Sequence, residues 1–255
     1  LQNTTPKPEI EMSRRLIALL FTVFMSIPCV ALAAADYTTD ADLIAAGRAA
    51  ENSGDLSTAA QDYAIAAKAG NADAQETLGG MYLSGRGEPQ DCQQAVQWFD
   101  ASAKQGDPQA VYNLGVLYEH GICVPQNYTN AMVLYKAAGQ AGWAEAQTNV
   151  GKMYDNAEGV PRNDVEAIKW FTLAANQNNA FAQLDLGLLA WNGLGEPRDL
   201  VQADMWLNLA VKNAADPKLQ LIAIEKQAAL QASLTPAQIA QGNALAAAWK
   251  PPATP

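Results

Sequence analysis

The 255-residue chain has a single histidine, His120, and only three cysteines, Cys29, Cys92 and Cys123. One imidazole and scattered thiols do not supply the ligand spacing of a zinc site, so no metal is expected. His120 stands before Gly121 at the end of a helical stretch, the place of a solvated helix end rather than of a general base. No catalytic and no cofactor-binding residue is assigned. Basic charge is also scarce: 16 Lys and Arg face 26 Asp and Glu, for a formal net charge of −10. With no Lys/Arg cluster, the chain is a poor nucleic-acid binder, because phosphate contacts dominate that affinity. Glycine-rich stretches such as Gly193-Leu194-Gly195 follow no strand and lack the lysine of a phosphate loop. Long apolar runs are missing as well. The strongest, Leu16 to Met25, is short of the roughly 20 residues that span a bilayer.

That short run has a different meaning. Arg14 and Arg15 precede it, and a small-residue stretch from Ala31 to Ala35 follows. A charged segment, an apolar core and an A-x-A site are the three parts of a secretory signal. Residues 1–35 are therefore read as an N-terminal extension and signal peptide, with Met12 as the start and cleavage after Ala33 or Ala35. Cys29 follows Pro28, a poor fit to a lipoprotein site. Beyond residue 35 the formal charge is −11, since Lys7, Arg14, Arg15, Glu9 and Glu11 fall before it. The expected destination is the periplasm of a Gram-negative bacterium, with secretion beyond it as an extension of the same route. In that oxidising compartment Cys92 and Cys123 form a disulfide candidate; the alternative is two buried small residues.

What the chain has in abundance is a 36-residue beat. Leu78-Gly79, Leu114-Gly115, Val150-Gly151 and Leu186-Gly187 carry it, as do Pro89, Pro125, Pro161 and Pro197. A fixed period in this range marks a stack of supersecondary units. Within one unit, Asp107 caps a helix opened by Pro108, and Ala110, Leu114, Leu117 and Tyr118 form its apolar stripe. Gly121 to Pro125 breaks the helix, and Asn127 caps a second one, as Asp91, Asn163 and Asp199 do in the other units. Gln94, Glu166 and Gln202, three residues later, complete a capping-box-like pattern, with Asn130 the weak member. Gly70, Gly106, Gly142 and Asn178 suit a left-handed helix end. Each unit is thus a helical hairpin that buries its stripe only by stacking on a neighbour. Trp98, Trp170 and Trp206, at one slot, are read as core.

The pattern Ala-x-x-x-Leu-Gly-x-x-Tyr, Gly-x-Gly-x-Pro-x-Asp, Ala-x-x-Trp-Phe runs from Ala74 to Phe99. It resembles the Sel-one-like repeat, a relative of the tetratricopeptide repeat with a longer inner loop. Four copies are read at 71–106, 107–142, 143–178 and 179–214, with departures at Ala157, Cys123 and Ala190. Residues 36–70 look like an ordinary tetratricopeptide unit, and 215–255 like a C-terminal helical cap and tail. The resemblance implies an all-α, right-handed α-solenoid of stacked antiparallel helix hairpins. It also implies a non-enzymatic module for protein–protein interaction, a scaffold, adaptor or regulator binding a protein or peptide in a concave groove. Some similar secreted proteins of pathogens bind host proteins, which is the alternative role. Others are linked to β-lactam binding, which makes a cell-wall or β-lactam-acting enzyme the third reading, although a Ser-x-x-Lys motif is absent here.

Tetratricopeptide-like arrays line that groove with the first helix of each hairpin. The outward slots are Asp73, Glu76, Gly80 and Leu83 in the first copy, then Gln109, Tyr112, Val116 and Glu119. Glu145, Thr148, Lys152 and Asp155 follow, and in the fourth copy Phe181, Leu184, Leu188 and Trp191, all apolar. Tyr112, Val116, Glu119, Lys152, Phe181, Leu184, Leu188 and Trp191 are the candidate partner-binding residues. Two readings of the apolar end stand: an exposed anchor site, or a patch covered by the C-terminal helices. The acidic residues Asp73, Glu76, Glu119, Glu145 and Asp155 are read as a solvated face. Because Cys92 opens a second helix and Cys123 lies in the next connector, the register brings the two thiols to the same end of the stack.

Overall fold

The computed structural model describes residues 39–251, so the expected signal segment lies outside the described residues. Among the described residues there are twelve helices and no strand. They are α1 (Asp40–Ser53), α2 (Leu56–Lys68), α3 (Ala72–Ser84), α4 (Cys92–Ala103), α5 (Pro108–His120) and α6 (Tyr128–Gln140). Then come α7 (Ala144–Asn156), α8 (Asp164–Ala175), α9 (Ala180–Asn192), α10 (Leu200–Asn213), α11 (Pro217–Gln231) and α12 (Pro236–Ala248). The first ten form five hairpins, and each helix packs mainly on its neighbours in sequence. α11 packs on α10 and α9, whereas α12 folds back onto α10. None of the described helices is long and apolar enough to cross a membrane.

The Leu-Gly beat sets the spacing within a hairpin. A Cβ on Gly79, Gly115 or Gly151 would come within 2.8, 2.7 or 2.6 Å of the ring of Phe99, Tyr135 or Phe171. The second helix therefore lies directly against the first, and those rings are fully buried. In the Trp-Phe pairs it is this second residue that forms the core. Trp98 and Trp170 are half-buried at its edge, and only Trp206 is buried.

Helix ends follow the capping residues with one difference. The side chains of Asp91, Asn127, Asn163 and Asp199 accept from backbone N–H groups in the first turn of α4, α6, α8 and α10. The reciprocal half of the expected capping box is absent there. Each cap's own N–H already donates to a carbonyl of the preceding helix, that of Tyr82, Tyr118, Tyr154 or Ala190, at 2.8–3.1 Å. Gln94, Glu166 and Gln202 therefore find no free N–H at the cap, and Glu166 pairs with Lys169 instead. Among the described residues, full capping boxes occur at Thr39 with Asp42 and Thr235 with Gln238, where no hairpin partner competes.

A second periodic device joins one hairpin to the next. The buried amides of Gln75, Gln147 and Gln183 donate to the carbonyls of Ala67, Gly139 and Ala175 at 3.0, 2.8 and 3.2 Å. Their oxygens accept from Gln105, Gln177 and Asn213. A buried amide satisfied on both ends orders its surroundings, and an unsatisfied one is costly. Val111 holds this position in the second copy. At that level of the stack, Ser102 Oγ bonds to Ala72 O and Asp107 Oδ2 instead.

Candidate protein-binding groove

The first helices α3, α5, α7 and α9 place their outward slots on one continuous strip. At its N-terminal end Glu76 Oε1 accepts from Gln109 Nε2 at 2.9 Å and Asn113 Nδ2 at 2.7 Å. Burial pushes the Glu76 carboxyl above its ordinary range, and Asp107 adds to this, while the two amide donors oppose it. One repeat later Tyr135 Oη donates to Glu119 Oε2. Burial and then Glu119 hold the Tyr135 hydroxyl far above its usual titration range. Glu76 and Glu119 are thus half-buried members of a hydrogen-bonded strip, a correction to their reading as solvated acids.

The strip deepens between α5, α7 and α9. A depression of about 130 Å³ there is lined by Tyr112, Glu145, Thr148, Asn149, Lys152, Asn179 and Phe181. Tyr112 is held from behind by Tyr135 and Trp143, with ring centroids 5.6 and 6.4 Å away. Asn149 faces the hydroxyls of both Tyr112 and Tyr135. On the other wall Lys152 Nζ stands 4.9 Å from the centre of the Phe181 ring. Asp185 lies near Lys152 with Oδ2 buried and without a hydrogen-bond partner. Burial raises its carboxyl to about 6, although Lys152 acts against that shift.

Of the candidate residues, the fold brings Tyr112, Lys152 and Phe181 together. Val116 is half-buried against the core under α6 and α7, and Glu119 is engaged by Tyr135. The apolar end of the expected groove is corrected. Leu184 is only 7% exposed, and Leu188 and Trp191 pack into the same cluster as Leu219, Ala223 and Leu230 of α11. The C-terminal cap packs against these three, which leaves Leu184 buried and Leu188 and Trp191 half-buried, whereas Phe181 is 45% exposed. A larger hollow of about 170 Å³ lies elsewhere, bordered by Ile168, Leu186, Leu189, Leu194 and Trp206. Thr172, Ala190, Glu196, Pro197 and Gln202 complete its wall, so it opens on the α9–α10 connector above core side chains.

Asn149, Asn179 and Asp185 were not singled out by the sequence reading. Asn149 and Asp185 stand one residue before the Leu-Gly beat, as Thr77 and Asn113 do. The period itself carried that signal.

Cys92 and Cys123 are joined by a disulfide between α4 and the α5–α6 connector. Cys123 has φ 64°, in the slot where Gly87, Gly159 and Gly195 have φ 81°, 70° and 74°. A Cβ on Gly159 or Gly195 would come within 2.7 or 2.8 Å of the backbone of Tyr128 or Asp164, and on Gly87 it would meet Leu56 O. Leu56, Tyr128 and Asp164 share the slot of Cys92. The connector of each hairpin thus touches the start of the previous second helix, and at this one level the touch is a covalent bond. His120 is exposed, 3.8 Å from Glu119.

These features agree with what the chain is similar to. The Sel1 repeat model matches residues 72–107, 108–143, 144–179 and 180–214. The chain belongs to the Sel1 repeat family. Proteins built from these repeats are generally protein-interaction modules and typically non-enzymatic scaffolds. Among solved structures, one similar protein is a protective antigen present in uropathogenic Escherichia coli strains, displaying an SLR fold. It is 29% identical over 82% of this chain, with a TM-score of 0.74, and this chain spans 44% of its length. A Sel1 repeat protein from Oxalobacter formigenes is 26% identical over 93% of this chain and 98% of its own, with a TM-score of 0.70. Comparison with curated proteins finds no match.

Proposed function

We propose that this chain is an exported, non-enzymatic adaptor or regulator that holds a protein or peptide against the first-helix strip of α3, α5, α7 and α9. The observation that carries the reading is the depression between α5, α7 and α9, where Tyr112 and Phe181 flank polar groups. Aromatic anchors beside convergent polar groups suit recognition of a protein segment. Export to the periplasm is supported by the signal-like pattern in residues 1–35 and by the Cys92–Cys123 disulfide, a bond typical of oxidising compartments. A second reading is a secreted factor acting on a host protein. Similarity to the protective antigen favours it.

The test is site-specific photocrosslinking in intact cells. A crosslinking amino acid at Phe181 is compared with one at Val133, an exposed residue on the second helix α6. The same protein captured from position 181 and not from 133 supports the groove. Equal capture from both positions, or none from 181, refutes it. N-terminal sequencing of the mature protein tests cleavage after Ala33 or Ala35. A partner recovered from culture supernatant selects the second reading.

A further inference from the structure

Two departures from the 36-residue pattern line the α5–α7–α9 depression, and a third stands near the first of them. Lys152 stands where the other copies have Gly80, Val116 and Leu188. Phe181 replaces Asp73, Gln109 and Glu145, and Asp185 replaces Thr77, Asn113 and Asn149. The result is a cation placed over an aromatic face, 4.9 Å from its centre, and near a carboxylate with one buried, unpartnered oxygen. The chain supplies this cation itself, on the flexible stem of Lys152. The other wall, Tyr112, is fixed by Tyr135 and Trp143, and Glu145 is exposed at the rim. α5 adds Glu119, and α7 itself adds Asp155 one turn after Lys152. Of the other cations nearby, Arg162 is engaged by Asp155 and Asp164, and His120 stands beside Glu119.

We infer that the depression receives a basic side chain, an arginine or lysine of an extended partner segment, which takes the place of Lys152 Nζ over the Phe181 ring. This rests on the groove reading above and adds the chemistry of the partner. A positive head over an aromatic face is attracted by the ring's quadrupole. Glu145 at the rim and Asp185 near Lys152 favour the same sign of charge. An acidic partner segment would meet Lys152 but also Glu145, Asp155 and Asp185 around it. The small volume admits one side-chain head, while the strip toward Glu119 and Glu76 offers acceptors to further basic residues of the same segment.

The test uses the whole chain and three end-blocked Gly/Ser decapeptides bearing two Arg, two Glu or two Gln, titrated by NMR. The Arg peptide is expected to shift the ring resonances of Tyr112 and Phe181 saturably, while the other two do not. Phe181→Ala should weaken that binding roughly tenfold, the scale of one lost cation–π contact. Lys152→Met keeps the stem and removes the competing charge, so it should tighten binding by roughly three- to tenfold. The proposal is overturned if the Glu peptide saturates the same resonances, if no peptide does, or if Lys152→Met abolishes binding. It is equally overturned if Phe181→Ala leaves Arg-peptide binding unchanged, which would mark diffuse attraction to an acidic surface. Photocrosslinking at Phe181 separates the two levels. Groove-specific capture together with failure of the Arg peptide discards the charge assignment alone, and failure of both discards the groove as well.

Discussion

The third and fourth copies of the repeat lay down the same backbone and end in different surroundings. Around α7 the outward slots hold Glu145, Lys152 and Asp155 beside an open depression. Around α9 the same slots hold Phe181, Leu184, Leu188 and Trp191; the α11 cluster buries Leu184 and half-buries Leu188 and Trp191, and leaves Phe181 exposed. An apolar outward slot in a solenoid thus signals the last copy as readily as a binding surface. Which of the two holds depends on the segment that follows. Terminal units of repeat arrays are atypical because only one face meets a repeat.

The largest effect that tests this contrast is placing a charge on each side of the seal. Leu184→Asp should lower stability by at least about 4 kcal/mol, because it buries an unpaired carboxylate in a core site. Phe181→Asp, less than one turn away but exposed, should cost about 1 kcal/mol or less. Denaturant midpoints of the two variants decide it, and equal losses would mean that the seal reaches Phe181.

A second comparison sets Cys123 against the glycines at its slot in the other copies. Replacing the pair as Cys92→Ala with Cys123→Ala should lose roughly 3–4 kcal/mol by the loop-entropy model. The variant Cys92→Ala with Cys123→Gly should lose about 1 kcal/mol less, because glycine takes positive φ without penalty. Thermal unfolding of the two double variants measures the difference.

Next in size is Asp185 against Asn149. Because burial raises its folded carboxyl to about 6 from 3.8, the folded state binds more protons than the unfolded chain between those values. The ionised group therefore destabilises the fold fully above about pH 6, and this penalty disappears below about pH 4. Asp185→Asn, the residue that copies two and three carry one repeat apart, should stabilise by about 2 kcal/mol at pH 7 and by little at pH 4. Stability curves at the two pH values check the sign. The smallest effect belongs to Ala157, at φ 61° where Gly85, Gly121 and Gly193 stand. Ala157→Gly should stabilise by about 0.5–1 kcal/mol in a chemical melt, against the usual cost of glycine.

The hairpins were legible because every constraint on them recurs. Leu78-Gly79, Asp91 and Phe99 state one geometry, and three further copies repeat it. The missing half of the capping box was not legible. It depends on the carbonyls of Tyr82, Tyr118 and Tyr154, which reach the caps only after the hairpin closes. The same holds for the groove. Tyr112 and Lys152 lie on outward slots that the period reveals, but Asn179, the cap of α9, joins the site only once α9 packs beside α7. The cover over Leu184, Leu188 and Trp191 comes from Leu219, Ala223 and Leu230, a helix that follows no beat. Sequence spacing could pose that question and could not answer it.

The disulfide has a consequence for how such a chain comes apart. Where helices touch mainly their sequence neighbours, unfolding proceeds as a front that enters at an end and travels along the stack. At the C-terminal end α11 and α12 close the column. At the other end α1 to α3 have only ordinary neighbours, so a front entering there is free to run until it reaches the Cys92–Cys123 bond. The bond acts as a rivet. By limiting the freedom that α4 and the α5–α6 connector gain on opening, it should hold back fraying from the first hairpin before it reaches the groove lined by α5, α7 and α9.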